Sequence, residues 1–321
     1  MRARQTIAAV LVLPWAAAWA AQPNYPTKPL HMLVGFTPGG TIDVIGRIVA
    51  QKLSELLGQS VVMENRPGAG ANVAAEAAAK ASPDGYTLLD VNPGLAVSAS
   101  AYRHLKYDAV KDLAPVSELA VSPHVLIVHP SLPVRSVADL IALARAHPGQ
   151  LNFASAGAGN SDHLAGELFK SMAHIDIVHV PYKGGVQAAS DVANGEVAMY
   201  FPGLSTAWLL TKSGKVRALA VTTAKRTPFE PDWPTLAEAG LPGYEHVLWA
   251  AVFTTAGTPK DIIARLNAEI QKALAMPEVR DRMKTLGAEP TGSTPEQLGA
   301  MLKSEIEKYG KLVRTIGLRI D

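Results

Sequence analysis

The segment His31-Met-Leu-Val-Gly-Phe-Thr-Pro-Gly-Gly-Thr-Ile-Asp43 runs an apolar strand into a helix through a Pro-Gly-Gly turn. Beyond the turn, Ile42, Ile45, Ile48, Val49, Leu53 and Leu56 recur at helical spacing until Gly58 stops the run. Thr41 reads as the N-cap. Glycines 39 and 40 let backbone N–H groups approach a ligand with no side chain in the way. The unpaired N–H groups and the positive end of the helix dipole then form an anion site. An isolated copy would be an ordinary strand-to-helix turn, but this chain repeats the device.

Four strand ends carry such turns: Pro38-Gly-Gly40, Pro67-Gly-Ala-Gly70, Ala156-Gly-Ala-Gly159 and Lys183-Gly-Gly185. The strands expected before them include 61–65, 151–155 and 177–181. Further strands are expected at 86–91, 125–129, 197–201 and 216–222. Helices are expected at about 72–81, 137–146, 260–275 and 295–316. This alternation predicts an α/β protein with largely parallel sheets and a ligand beyond the carboxyl ends of the strands. None of the turns is a phosphate loop, and none is a dinucleotide fingerprint with its acidic partner. Several helix N-termini around one cleft suit a small anion, most simply a carboxylate.

Composition narrows the class. With 48% hydrophobic and 18% charged residues, the chain can bury two substantial cores, and roughly 150 residues per domain suggests two domains. A net charge of +2, spread along the chain, gives no footprint for nucleic acid. There is no cysteine, hence no disulfide framework or lipid-anchor site. His124 and His129, or His174 and His179, lack carboxylate partners at ligand spacing, so neither metal nor cofactor is expected. Residues 1–20 read as a signal peptide: Arg2 and Arg4, an apolar stretch interrupted by Pro14, and Ala18-Trp-Ala20 before the cut. The mature chain is then exported to the periplasm.

One enzyme reading is available. Ser155 lies on a strand-to-helix turn in Ala154-Ser-Ala-Gly157, near the pattern of a nucleophile elbow. Phe153 stands where that pattern has glycine, and no triad context follows, so the chain is read as a non-enzyme.

The ordered set of motifs resembles the Bug family, the periplasmic substrate-binding proteins of tripartite tricarboxylate transporters. Its carriers are Tyr25-Pro-Thr-Lys-Pro, Gly35-Phe-Thr-Pro-Gly-Gly-Thr-Ile-Asp43, Glu64-Asn-Arg-Pro-Gly-Ala-Gly-Ala-Asn72 and Pro83-Asp-Gly-Tyr86. His163-Leu-Ala-Gly-Glu167, Val180-Pro-Tyr-Lys-Gly-Gly185, Arg217-Ala-Leu-Ala-Val-Thr222 and Ala256-Gly-Thr-Pro259 continue the order. The resemblance implies a type II periplasmic binding protein: two lobes, a hinge and an interlobe cleft. Lobe 1 would hold residues 22–123 and 250–321, and lobe 2 residues 124–249. The implied function is a monomeric receptor that delivers a small carboxylate to membrane permease subunits. A receptor feeding a signalling partner would have the same cleft.

Carried over by position, the resemblance nominates Phe36, Thr37, Pro38, Gly39, Gly40 and Asp43 on one side. Ala156, Gly157, Gly159, Asn160, Ser161 and Asp162 face them, with Tyr182, Gly184, Gly185 and Pro202 as further walls. The chain departs from the family at Asn92-Pro-Gly94, at Pro202-Gly203 in place of an acidic residue, and at Asp162. Asp162 would repel a carboxylate, pair with a ligand amine, or only complement the helix dipole. Asp43 is open to the same readings: an amine or water partner in the cleft, or a first-turn acid.

Overall fold

The computed structural model describes residues 25–320; the signal peptide expected at 1–20 lies outside them. Two sheets organise the chain. The first contains β1 (Leu30–Val34), β2 (Val61–Asn65), β3 (Thr87–Val91), β4 (Leu113–Pro123), β10 (Val247–Thr255) and β11 (Glu289–Pro290), in the order β11-β4-β10-β3-β1-β2. The second contains β5 (Val125–Val128), β6 (Asn152–Ser155), β7 (Val178–Pro181), β8 (Met199–Tyr200) and β9 (Arg217–Val221), in the order β7-β6-β8-β5-β9.

Both sheets follow one plan. Three strands are parallel, β2-β1-β3 in one lobe and β7-β6-β8 in the other. The next strand in each, β10 or β5, arrives from the opposite lobe and pairs antiparallel. Both sheets are therefore mixed rather than largely parallel, because the crossing strands bring the chain back against the trio. The chain crosses between β4 and β5 at His124. It returns at Val247, whose partner is Pro123; the return therefore comes before the 250 boundary expected from the sequence.

Helix α1 (Thr41–Leu57) buries Ile42, Ile45, Ile48, Val49 and Leu53. Leu57 completes this apolar face where the periodicity suggested Leu56, and Gly58 ends the helix in the left-handed conformation at φ 67°. The face packs with α8 (Lys260–Ala275) and α9 (Pro277–Thr285) on one side of the first sheet. Helices α2 (Asn72–Ala79), α3 (Gly94–Ala101) and α10 (Pro295–Ile316) cover the other. In lobe 2, α4 (Val137–Ala146) and α5 (Ser161–Ala173) cover one face of the sheet. Helices α6 (Gly185–Asn194) and α7 (Leu204–Lys212) cover the other. Among the described residues no helix is long and apolar enough to cross a membrane.

Candidate functional site

A cleft of about 1080 Å³ lies between the lobes. Helices α1, α3, α5, α6 and α7 all begin at residues on its wall or next to it. The N-caps of α1, α6 and α7 are Gly40, Gly184 and Gly203, and none has a side-chain cap hydrogen bond. Thr41, expected as the cap of α1, is instead its first helical residue. Three helix termini thus bring first-turn N–H groups and dipole ends to one cavity, a favourable setting for negative charge.

The glycine loops themselves are held from behind. In lobe 1 the Asp43 carboxylate accepts hydrogen bonds from the Gly39 N–H at 2.9 Å, Arg47 at 2.9 Å and Asn65 at 2.7 Å. Asp43 is only 1% exposed. Burial pushes its carboxyl up, but the bonds from Arg47, Gly39 and Asn65 outweigh that and hold it below the usual range. Asp43 is a brace for the Pro-Gly-Gly turn and has no oxygen left facing the cleft for an amine. Gly39 sits at φ +86°, where a side chain is strained even in open space. Gly40 has ordinary angles and room for a Cβ, so only the first of the pair is conformationally required.

Lobe 2 repeats the design with different residues. Asp162 accepts from the Ala156 N–H at 2.8 Å, the Tyr200 hydroxyl at 2.9 Å and the His163 N–H at 2.9 Å. Here burial dominates those bonds and raises the carboxyl above its usual range. The Gly157 N–H donates to Ser155 Oγ and the Gly159 N–H to His163 Nδ1. Most of the loop's donors are therefore already used within the protein. Ser155 does have a histidine, His179 Nε2 at 2.6 Å. Its hydroxyl, however, supports Gly157 and is fully buried behind the loop. That is a brace, not an exposed nucleophile.

Contacts across the cleft close the two lobes on each other. Asn92 Nδ2 donates to Asn160 Oδ1 at 2.9 Å, while Asn92 Oδ1 accepts from the Gly94 N–H at the start of α3. A Cβ on Gly184 would stand 3.1 Å from Thr37 Oγ1, and one on Gly203 would stand 3.0 Å from Thr41 Oγ1. Glycine at these two caps lets α6 and α7 abut the lobe 1 loop.

Of the nominated residues, Phe36, Thr37, Gly39, Gly40, Ala156, Gly157, Asn160, Ser161, Asp162, Tyr182, Gly184, Gly185 and Pro202 line the cleft. Pro38, Asp43 and Gly159 are not on its wall, and Gly159 packs against Tyr102 and Ile320. Sequence reasoning missed Asn92 as a bridge, Tyr200 as the partner of Asp162, and His124. Their signals were weak: Asn92 lies in a turn with proline and glycine, and Tyr200 in a two-residue strand.

The Asp162 brace predicts a measurable cost. Asp162→Ala leaves the Ala156 N–H and the Tyr200 hydroxyl without their buried acceptor, at about 1–3 kcal/mol each. Urea unfolding is expected to show a loss of about 2–6 kcal/mol. A variant as stable as the parent would mean that water replaces the carboxylate without cost.

Comparison with known proteins agrees with this geometry. Residues 45–318 match the model of the tripartite tricarboxylate transporter family receptor. A Pseudomonas sp. (strain P51) protein, described as a UPF0065 protein in the tcbD-tcbE intergenic region, is 42% identical over 290 residues, covering 90% of this chain and 86% of its own. Protein BugT of Bordetella pertussis is 37% identical, covering 95% and 94%. Among solved structures, R. palustris Rpa4515 with adipate superposes at TM-score 0.87 with 40% identity, covering 92% of this chain and 99% of its own. MatC from Rhodopseudomonas palustris with bound malate superposes at 0.84 with 30% identity, covering 90% and 100%. A family model that spans most of the chain, relatives alike over nearly their whole length and a shared two-lobe architecture lead to one assignment: this protein belongs to the tripartite tricarboxylate transporter family of receptors.

Proposed function

We propose that the cleft receives a small carboxylate with an apolar body and that the protein, exported after cleavage behind Ala20, delivers it as a monomer to transporter permease subunits. The observation that carries this reading is the meeting of three glycine-capped helix N-termini at one cavity. The first-turn N–H groups of α1, rather than those of the braced loops, hold the carboxylate. The apolar part packs against Phe36, Val186, Leu209 and Leu248 on the cleft wall. Lys183 and Lys215 also line it and stand exposed, so a second anionic end is favoured over an ammonium group.

A free amino acid fits less well. Its amine would need an acidic partner, and Asp162, the cleft's acidic side chain, has its oxygens committed to Ala156, His163 and Tyr200. Pro202-Gly203 supplies no other. The similarity to receptors solved with adipate and with malate points the same way.

Calorimetry with adipate, malate and glutamate at one pH tests the reading. Micromolar binding corresponds to about 8 kcal/mol, within reach of charge-assisted bonds at about 1.5–3 kcal/mol each plus the helix termini. Adipate is expected to bind at least tenfold more tightly than glutamate. The reverse order, lost in Asp162→Asn, would make Asp162 an amine partner and overturn the assignment.

A further inference from the structure

A buried chain of four side chains runs through the hinge and into the ligand loop. Tyr309 on α10 places its hydroxyl 2.8 Å from His246 Nδ1. His246 Nε2 lies 2.9 Å from Ser161 Oγ, and His124 Nε2 lies 2.9 Å from the same oxygen on its other side. Exposures are 1% for Tyr309, 0% for His246, 1% for Ser161 and 4% for His124. The two imidazoles stack with centroids 5.3 Å apart. Thr222 knits their backbones together: its carbonyl accepts from the His246 N–H, and its hydroxyl accepts from the His124 N–H.

The four residues span every part that must move. His124 stands at the first crossing between lobes and His246 at the second, immediately before β10. Ser161 opens α5 of lobe 2, and Tyr309 belongs to the helix packed on lobe 1. Ser161 has one hydroxyl proton for two flanking nitrogens. At most one of the two nitrogens can accept that proton, so at least one ring carries its own proton on Nε2 and donates to the Ser161 oxygen. Burial keeps both rings neutral, with His124 lowered to about 4 and His246 well below its ordinary value. The Ser161 N–H is already taken by Asn160 Oδ1, so both polar groups of this residue are used within the protein.

We propose that Tyr309–His246–Ser161–His124 is a latch that holds the lobes closed, making Tyr309 and His246 positioning residues that set ligand affinity without touching ligand. Because Thr222 holds both histidine backbones on the lobe 2 side, rotation of lobe 2 pulls first on the Tyr309–His246 bond, which joins the chain to the lobe 1 helix. A half-satisfied buried network then has to be rehydrated, which favours return to the closed form. Closure of the lobes in this way does not depend on which ligand the cleft takes; its effect on affinity rests on the receptor reading above.

The chain has no cysteine, so spin labels can be placed cleanly at Val73→Cys in lobe 1 and Val178→Cys in lobe 2, both exposed. Pulsed electron resonance then reads the interlobe distance without ligand and during titration with adipate. Tyr309→Phe keeps the ring and removes only the hydroxyl; Ser161→Ala cuts the centre of the chain. Each is expected to lower the closed-to-open ratio of the ligand-free protein about tenfold, the scale of one buried hydrogen bond. The double variant is expected to lower it no further than Ser161→Ala alone, because the chain acts as a unit. Adipate affinity is expected to fall by the same factor. Additive effects, unchanged distances in both variants, or a ligand-free parent with no closed population would overturn the latch. Variants that open in a parent that fails to bind adipate would sink the ligand reading and leave the latch intact.

Discussion

Gly203→Val is expected to weaken adipate binding about 10- to 100-fold while leaving the melting temperature within about 3 °C of the parent, because overpacking by branched side chains costs about 1–3 kcal/mol. The backbone at Gly203, φ −62° and ψ 156°, accepts any residue, so lobe 2 folds unperturbed. The obstruction lies between the lobes, where even a Cβ would meet Thr41 Oγ1 at 3.0 Å and Leu248 at 3.7 Å. Valine adds methyl groups beyond that point, so the closed form carries the cost and the open form does not. Calorimetry and a thermal melt on the same sample check it. Unchanged affinity would mean that the ligand is held without the contact between α1 and α7.

Local chemistry is legible in the sequence; contacts between distant residues are not. The helix after Pro38-Gly-Gly40 and its stop at Gly58 follow from spacing and two glycines. Strand β4 escapes such a reading because Pro115 and Glu118 interrupt its pattern, although it forms a long ladder with β10. Helix α7 escapes because Pro202-Gly203 reads as a wall of the cleft; it is also the entry to a helix. Spacing places Asp43 and Asp162 correctly in first turns, yet only the fold shows which way their oxygens face. The bonds Asn92–Asn160 and Tyr200–Asp162 join residues 68 and 38 positions apart, and no periodicity announces such pairs.

Asp90 leads to the second large effect. It is fully buried on β3, neither carboxyl oxygen has a hydrogen-bond partner among the described residues, and α1 passes directly over it at Gly46. Burial first, and the nearby Asp43 charge second, raise its carboxyl well above the ordinary value. Between the usual carboxylate range and that raised folded value, the native state binds a proton that the unfolded chain has released. Asp90 contributes full stability below the usual carboxylate range and progressively less as pH rises towards its folded value. Asp90→Asn keeps the shape and removes the proton. It is expected to match the parent near pH 4 and to exceed it by about 1–4 kcal/mol at pH 7, since every tenfold gain in proton affinity on folding corresponds to about 1.4 kcal/mol. Urea unfolding at pH 4, 5.5 and 7 measures the difference. A constant difference across that range would show that Asp90 is not protonated in the native protein.

The place of β10 between β3 and β4 has a bearing on the order of assembly. Residues 247–255 pair on both sides with strands made long before them. Until they arrive, the inner edges of β3 and β4 have no neighbour, and the first lobe lacks its middle. Lobe 2, by contrast, draws its whole sheet from one uninterrupted stretch. The earliest-made lobe is thus the last that can be completed, and contacts of such long sequence separation form slowly. The sheet of the first lobe therefore stays open at its centre until the last third of the chain has been made.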